Sequence, residues 1–194
     1  MNYPNSIKKN KHVINYGNRG MNLESDLNET NNYYLLNDIA VIHKKPTPIT
    51  IVNVDYKSRN DAVIREAYFK TPSTTDYNGI YKGKYIDFEA KETKNKLGFP
   101  LVNIHEHQIE HLRKIIKFGG IAFLIIRFSS LGETYFVFAS DFINYIESFS
   151  KKTVPISFFR DKGILLKEKY NPRLDYLKII DEYEGDLNNE KEKK

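Results

Sequence analysis

Cysteine and tryptophan are absent from the 194-residue sequence, and it contains no long apolar run. The absence of cysteine excludes disulfide bonds, a cysteine nucleophile and a thiolate metal site. No segment approaches the ~20 apolar residues of a membrane-spanning helix, and the N-terminus has no apolar signal-peptide core, so we expect a cytoplasmic protein with no membrane partner. Any metal must use oxygen or histidine ligands, and oxygen ligands favour Mg²⁺, with Mn²⁺ as an alternative.

Basic residues exceed acidic ones, 30 against 25, which gives a formal net charge of +5. This excess suits a polyanionic partner such as nucleic acid, but it does not identify one, because an AT-rich genome enriches lysine without any function. The hydrophobic fraction of 40% is sufficient for one compact domain with its own core.

Apolar residues recur at helical spacing from Asn22 to about Asn37 and from His105 to Lys117. We also expect Ser140 or Asp141 to cap a short helix and Pro172 to open a final one. Strand patterns occupy four segments: 39–44, 49–56, 120–128 and 134–139. Residues 57–75 suit either a short helix or an extended chain. This order predicts an α/β fold in which helices lie on the faces of a mixed central sheet.

The segment YIDFEAK, residues 85–91, alternates apolar and polar side chains and predicts a strand with one buried face. Just before it, Lys82-Gly83 suits a two-residue hairpin turn in which glycine supplies a positive φ. Asn78-Gly79 is a competing turn dipeptide that would set a different register. We expect Asn78-Gly79 to mark a bulge or bend instead.

The Lys82-Gly83 register places Asp76 directly opposite Glu89 and Thr74 opposite Lys91. Two carboxylates that face each other across a strand pair repel unless a cation lies between them. A Mg²⁺ ion takes about six oxygen ligands and would relieve this repulsion. The alternative is a solvated strand face on which Lys91 forms a salt bridge.

The spacing of Asp76 and the triplet Glu89-Ala90-Lys91 resembles the PD-(D/E)xK nuclease signature, in which an Asp precedes Glu-x-Lys on the next strand. The surrounding sequence resembles the RecU-type Holliday junction resolvases from residue 15 to about 185. Five segments carry this resemblance: NRGMNLESDLNETNNYY (18–34), AVIHKKPTPITIVNVDY (40–56), STTDYNGIYKGKYIDFEAKETKNK (73–96), FPLVNIHEHQIEHL (99–112) and NPRLDYL (171–177).

The resemblance implies a restriction-endonuclease-like fold with a mixed central sheet, flanking helices and a projecting stalk. We expect a flexible basic arm over residues 1–17 and a single nuclease domain over 18–185. The stalk is expected at about 45–72, and a disordered tail at 186–194.

The resemblance also assigns candidate site residues. The implied catalytic residues are Asp76, Glu89 and Lys91, and the implied Mg²⁺ ligands are Thr74, Asp76, Glu89 and Gln108. Gln108 is supported by the family alone, because a polar residue on a helix is more often solvated. Candidate nucleic-acid contacts are the basic residues of the arm and the stalk: Arg19, Lys57, Arg59, Arg65 and Lys70.

Other polar residues have two interpretations each. Asp87 shares the face of Glu89 and is either a rival metal ligand or the partner of a supporting lysine. Glu24 either approaches the site from the first helix or serves the start of that helix. His107 and His111 are four residues apart on one helix and suit zinc, but with no third ligand in view they are better interpreted as surface histidines near DNA phosphates.

The function implied by the resemblance is a Mg²⁺-dependent, structure-selective endonuclease that resolves four-way DNA junctions by paired symmetric nicks in recombination and repair. Paired nicks require two active sites and therefore predict a homodimer. Recombinase and branch-migration proteins are further candidate partners. The alternatives are a restriction-like or repair nuclease on ordinary duplex DNA, and a non-catalytic DNA-binding or strand-annealing protein.

Overall fold

The protein is described by a computed structural model over residues 22–56, 58, 61–70, 74–149 and 151–183. The expected arm and tail lie outside these described residues. The helices are α1 (Leu23–Leu36), α2 (Glu106–Lys117), α3 (Ala139–Ser148), α4 (Ile156–Lys162) and a C-terminal helix, α5, over 177–183. The strands are β1 (Val41–Lys44), β2 (Ile49–Asp55), β3 (Val63–Phe69), β4 (Tyr77–Tyr81), β5 (Lys84–Thr93), β6 (Gly98–Pro100), β7 (Ile121–Phe128), β8 (Glu133–Phe138), β9 (Thr153–Pro155) and β10 (Ile164–Leu165).

The centre of the fold is a six-stranded mixed sheet in the order β1-β4-β5-β7-β8-β10. Strands β5 and β7 are parallel and connected through α2, whereas the other neighbours are antiparallel. Two short strands, β6 and β9, pair separately. The prediction of a mixed central sheet flanked by helices is therefore confirmed.

Each face of the sheet has its own hydrophobic core. One core packs α1 and the C-terminal segment against the sheet, and the other packs α2, α3 and α4 on the opposite face. In the first core, aromatic rings stack across four neighbouring strands, with centroid spacings of 4.7, 4.6 and 4.5 Å along the row Tyr77, Phe88, Phe123 and Phe136. Because both faces of β5 are covered, Asp87 and Glu89 of YIDFEAK are buried, whereas a strand with one buried face would leave both carboxylates in water.

The β4–β5 hairpin turns at Lys82 and Gly83, as predicted. Both turn residues have positive φ, 48° and 78°, the conformation that two-residue hairpin turns favour. The expectation of a bulge or bend at Asn78-Gly79 is wrong, because the strand pairing runs through these residues without a shift. Gly79 is needed there for another reason: a Cβ atom would lie 2.1 Å from the carbonyl oxygen of Val41 on β1.

Helix α1 is anchored where it begins. The Asn22 side chain caps it by accepting a hydrogen bond from the backbone N–H of Ser25, at 2.8 Å. In the first turn, buried Asp26 pairs with the buried guanidinium of Arg127 at 2.6 Å and with Arg173 at 3.2 Å. These ion pairs connect α1, β7 and the C-terminal segment, so they fix the start of α1 beside the end of β5.

Strands β2 and β3 form a two-stranded ribbon that projects from the sheet. Residues 63–69, ambiguous in sequence, are extended and pair antiparallel with β2. Apart from half-buried Val54, every residue of both strands is exposed. The backbone N–H of Lys70 donates to the carbonyl of Pro48 at 3.0 Å and closes the base of the ribbon. The expected stalk thus corresponds to a ribbon of exposed strands.

Two expected helix starts are wrong. Helix α3 begins at Ala139 rather than after a Ser140 or Asp141 cap, because β8 ends at Phe138 and continues directly into it. The final helix begins at residue 177 rather than at Pro172. The segment before it is held by contacts to α1, including a 2.9 Å hydrogen bond from Leu174 N–H to Thr30. Within the described residues, no helix is long and apolar enough to cross a membrane.

Candidate active site

Glu89 lies in the middle of β5 under α2, and its side chain is fully buried. Its Oε1 accepts a hydrogen bond from Gln108 Nε2 at 2.8 Å and pairs with Lys91 Nζ at 2.8 Å. Its Oε2 is also buried, and no described residue donates a hydrogen bond to it. A buried carboxylate oxygen without a donor is costly, so this atom indicates a missing partner.

Asp76 supplies the second carboxylate. The β4–β5 pairing ends at Tyr77 and Phe88, so Asp76 lies one residue beyond the strand ladder and Thr74 further still. The predicted Asp76–Glu89 opposition therefore extrapolates past the end of the strand, yet the two carboxylates interact. The pKa of Glu89 is raised to about 7, chiefly by burial and then by the negative charge of Asp76, while Lys91 opposes the shift.

This arrangement fits a divalent cation. Half-buried Asp76 and buried Glu89 repel each other, and one Glu89 oxygen has no hydrogen-bond donor among the described residues. A bound cation would remove both penalties. Among the described residues, no group of three or more His, Asp or Glu side chains is placed to hold a metal. An ion between Asp76 and Glu89 would therefore need neutral oxygens or water as its remaining ligands.

Gln108 reaches the site from the first turn of α2, and the atom that contacts Glu89 is its amide nitrogen. Its Nε2 donates to Glu89, and its Oε1 accepts from the backbone N–H of His105 at 3.0 Å as part of a capping box. The amide oxygen, which is the atom that binds a metal, thus faces the backbone of His105, while the nitrogen faces Glu89. As it stands, Gln108 orients Glu89, and a role as ligand requires its oxygen to turn towards the carboxylates.

Thr74 and Asp76 line a cleft of about 400 Å³ between α1, the start of the ribbon and the 74–77 segment. Glu24 lines the same cleft and pairs with Lys44 at 2.5 Å, so it approaches the site while Asn22 caps the helix. The cleft is also lined by Thr75, Lys45 and Glu92, among others. Glu89, Lys91 and Gln108 are not part of this lining, and Asp76 links the cleft to the buried carboxylate.

Asp87 is as buried as Glu89, but its surroundings differ completely. Its Oδ1 accepts from the Thr75 hydroxyl. Its Oδ2 lies 2.8 Å from Lys45 Nζ, 3.0 Å from the Tyr85 hydroxyl and 3.1 Å from His111 Nε2. With both oxygens bonded, Asp87 fits the second interpretation, the partner of a supporting lysine, and not that of a rival metal ligand.

The chain is similar to known proteins of one family. The profile of the family described as Recombination protein U (RecU) matches residues 18–182. The chain belongs to the RecU family. A protein from Bacillus cytotoxicus named Holliday junction resolvase RecU is 55% identical over 181 residues, which cover 92% of this chain and 90% of that protein. A protein of the same name from Staphylococcus aureus strain JH9 is 51% identical over 197 residues, which cover 93% of this chain and 95% of that protein.

A solved structure is also similar to part of the chain. It is Hjc of Archaeoglobus fulgidus, described as a Holliday junction resolvase from an archaeal hyperthermophile. The match covers 53% of this chain and 78% of the Hjc chain, with a TM-score of 0.37 and 16% sequence identity. Membership of the RecU family rests on the sequence relatives alone.

The nucleic-acid candidates of this RecU-family chain are partly described. Arg19, Lys57 and Arg59 lie outside the described residues. Arg65 lies on the exposed ribbon, where its Nε pairs with Asp55 at 2.6 Å across the two strands. Lys70 is exposed at the ribbon base. An exposed ion pair such as Arg65–Asp55 is weak, so it does not prevent the guanidinium from contacting phosphate.

One of the two histidines lies differently from the expectation. His111 contacts Asp87 and is partly buried, so it is not a fully exposed surface residue. His107 stacks on His105 with ring centroids 5.3 Å apart. The described residues offer no third ligand that would make a zinc site with them.

Sequence reasoning missed two residues next to the site, Lys45 and Thr75. Both contact Asp87, and Lys45 also donates its backbone N–H to the carbonyl of Asp76 at 2.8 Å. No periodicity marks them, because both stand in irregular connections. The available signal was Asp87 itself, since a carboxylate in a buried strand requires a cation or several donors.

Proposed function

We propose that this protein is a Mg²⁺-dependent, structure-selective endonuclease that resolves Holliday junctions by paired symmetric nicks in recombination and repair. The observation that carries the proposal is the buried Glu89 beside Asp76: one of its oxygens is bonded to Lys91, and the other has no donor among the described residues. Relatives more than 50% identical over nearly the whole chain are named Holliday junction resolvase RecU, which supports the choice of substrate.

Asp76 and Glu89 would hold the metal as anionic ligands, with the Thr74 hydroxyl and the Gln108 amide oxygen as neutral ones. A bound Mg²⁺ supplies Lewis-acid stabilisation of a phosphoryl oxygen and lowers the pKa of a water molecule. Burial of Glu89 excludes bulk water from one side of the site, so the carboxylates act where the local dielectric constant is low. A turn of the Gln108 amide that brings its oxygen towards the carboxylates is the change within the chain that completes this ligand set.

Lys91 is proposed to stabilise negative charge as it develops on the scissile phosphate. Its side chain is one-quarter exposed and is bonded to Glu89 Oε1 at 2.8 Å. An ammonium held by a buried carboxylate is positioned before DNA arrives, so little reorganisation is needed in the transition state. The partial exposure leaves the ammonium accessible to a phosphate oxygen.

The cleft and the ribbon are proposed as the DNA-binding surfaces. Lys44, which pairs with Glu24, lines the cleft together with Asp76 and is the proposed cation of that surface. The ribbon presents Arg65 together with exposed Tyr68 and Phe69, a combination that suits phosphate contact and stacking on unpaired bases at a crossover. Lys57, Arg59 and Arg19 are proposed to extend this surface.

Resolution by symmetric nicks requires two active sites, so the proposal includes a homodimer. Recombinase and branch-migration proteins, which act on the same junctions, are the proposed protein partners. An enzyme of this function acts where chromosomal DNA is recombined, which supports a cytoplasmic location in a bacterial cell.

The test compares a four-way junction with linear duplexes that carry the same arm sequences, each incubated with Mg²⁺ or with EDTA. We expect Mg²⁺-dependent nicks at symmetric positions in two opposing strands of the junction, with Asp76→Asn as the inactive control. Equal cleavage of linear DNA would favour the restriction-like or repair nuclease. Junction binding with no cleavage under any divalent metal would favour a non-catalytic DNA-binding or strand-annealing protein.

A further inference from the structure

The strand ladder does not determine where the Asp76 carboxylate lies. The β4–β5 pairing ends at Tyr77, so β5 does not hold the Asp76 backbone. Instead, the carbonyl of Asp76 accepts the 2.8 Å hydrogen bond from Lys45 N–H, which continues the β1–β4 pairing one step beyond Lys44 and Tyr77. The backbone position of the proposed metal ligand is therefore set by Lys45.

The side chain of Lys45 adds a second connection to the same segment. Its Nζ donates to the Thr75 hydroxyl at 2.9 Å and to Asp87 Oδ2 at 2.8 Å, and the Thr75 hydroxyl donates to Asp87 Oδ1. Asp87 is fully buried on β5, two residues before Glu89. Lys45, Thr75 and Asp87 thus form a closed triangle that fastens the residue next to Asp76 onto the strand that carries Glu89.

Lys45 is also the first residue between β1 and the ribbon. Only Pro46, Thr47 and Pro48 separate it from the start of β2. Proline fixes φ, so this connection is stiff and bends less than an ordinary linker of the same length. A change in ribbon orientation on binding DNA would therefore reach Lys45, and through it Asp76.

We propose that Lys45 is a positioning residue: together with Asp87 and Thr75 it holds Asp76 against Glu89 and couples the base of the ribbon to the metal site. This inference rests on the proposed nuclease function. The triangle of these three side chains acts through Asp76 and touches neither the metal nor the scissile phosphate. Its chemistry is charge compensation, since the Lys45 ammonium neutralises a carboxylate that the fold has removed from water.

The experiment uses Lys45→Met, which removes the ammonium and retains the backbone N–H. Mg²⁺ binding to the DNA-free protein, measured by calorimetry, should weaken by about 10- to 100-fold, as losses of outer supporting residues do at other metal sites. Single-turnover cleavage should require correspondingly more Mg²⁺. Lys45→Arg should retain most of both properties. Lys178→Met, an exposed lysine on α5, is the charge-matched control and should change neither.

Asp87→Asn should reproduce the defect of Lys45→Met, and the double variant should be no worse than the more severe single one, because the two residues act as one unit. Thr75→Val and Thr75→Ser form a matched pair that differs in the hydroxyl group. Only Thr75→Val should weaken Mg²⁺ binding. This pair keeps the inference testable if Lys45→Met or Asp87→Asn fails to fold.

The inference is overturned if folded Lys45→Met and Thr75→Val bind Mg²⁺ as tightly as the wild type. It is also overturned if Lys45→Met reduces only junction affinity and lowers the salt slope by about 0.9, because that result identifies a phosphate contact. Failure of the proposed function appears differently: the wild-type protein itself would then leave four-way junctions uncut.

Discussion

Replacement of Glu89 by glutamine should stabilise the metal-free protein at pH 8 while it abolishes cleavage. The pKa of Glu89 rises from 4.5 to about 7 on folding because the carboxylate is buried beside Asp76. At about 1.4 kcal/mol per pH unit, ionised Glu89 lowers the free energy of unfolding by roughly 3 kcal/mol. Glutamine has nearly the same shape and carries no charge, so the variant avoids this penalty.

The sign of the pH dependence follows from the raised pKa. The folded protein binds the Glu89 proton more tightly than the unfolded chain does. The stabilisation that comes from protonated Glu89 is therefore complete below pH 4.5 and is lost as the pH rises through about 7. The advantage of Glu89→Gln should be about 3 kcal/mol at pH 8 and below about 1 kcal/mol at pH 5.

The measurement is urea unfolding followed by circular dichroism at both pH values, first in EDTA and then with Mg²⁺. Added Mg²⁺ should stabilise the wild type and have much less effect on Glu89→Gln, because a ligand stabilises only the state that binds it. Asp87→Asn is the matched control: it is equally buried on the same strand, yet it should destabilise, since Lys45 loses its partner. A Glu89→Gln variant less stable than wild type at pH 8, or a difference independent of pH, would refute the reasoning.

Three further predictions follow from the same geometry. Asp76→Asn should abolish cleavage while junction affinity, measured by gel shift in EDTA, changes by less than roughly threefold, since affinity depends mainly on phosphate contacts. Lys91→Ala should slow single-turnover cleavage at saturating enzyme more than it weakens binding, and an unchanged rate would reduce Lys91 to an ion-pair partner. Deletion of 57–70, or reversal of Arg59 and Arg65 to Glu, should reduce the preference for four-way over linear DNA. The reversal, which leaves the ribbon backbone in place, should also leave Mg²⁺ affinity intact.

Hairpin register was predictable from sequence because it depends on local chemistry. Lys82-Gly83 can adopt the two positive φ angles of a tight turn, and pairing then follows by counting residues. The neighbouring dipeptide Asn78-Gly79 was misread because its glycine serves a long-range contact. Gly79 allows the backbone of Val41 on β1 to approach, and the two residues are 38 positions apart in sequence.

The electrostatic difference between Asp87 and Glu89 was not predictable. Both occupy the polar face of the same strand, and sequence alone made them rival ligands. The structure distinguishes them by their donors: Asp87 has four side-chain partners, while Glu89 Oε2 has none among the described residues. Tyr85 lies on β5 itself, but the other three partners come from irregular connections and from α2, whose positions relative to β5 no short-range pattern specifies.

The ribbon presents a different problem. Strand β2 was predicted from the sequence and β3 was ambiguous between helix and extended chain, and the residue pattern of neither strand indicates that both of its faces are exposed. Alternating β-branched and aromatic residues such as Ile51, Val63 and Tyr68 usually indicate a buried face, yet here these side chains are exposed. A two-stranded sheet without a helix or third strand against it is marginally stable in water. An exposed ribbon with this many apolar side chains therefore indicates a binding partner that covers it. Unstacked bases at a junction crossover would supply such a cover, because base faces stack on aromatic rings and the flanking phosphates meet the ribbon's cations.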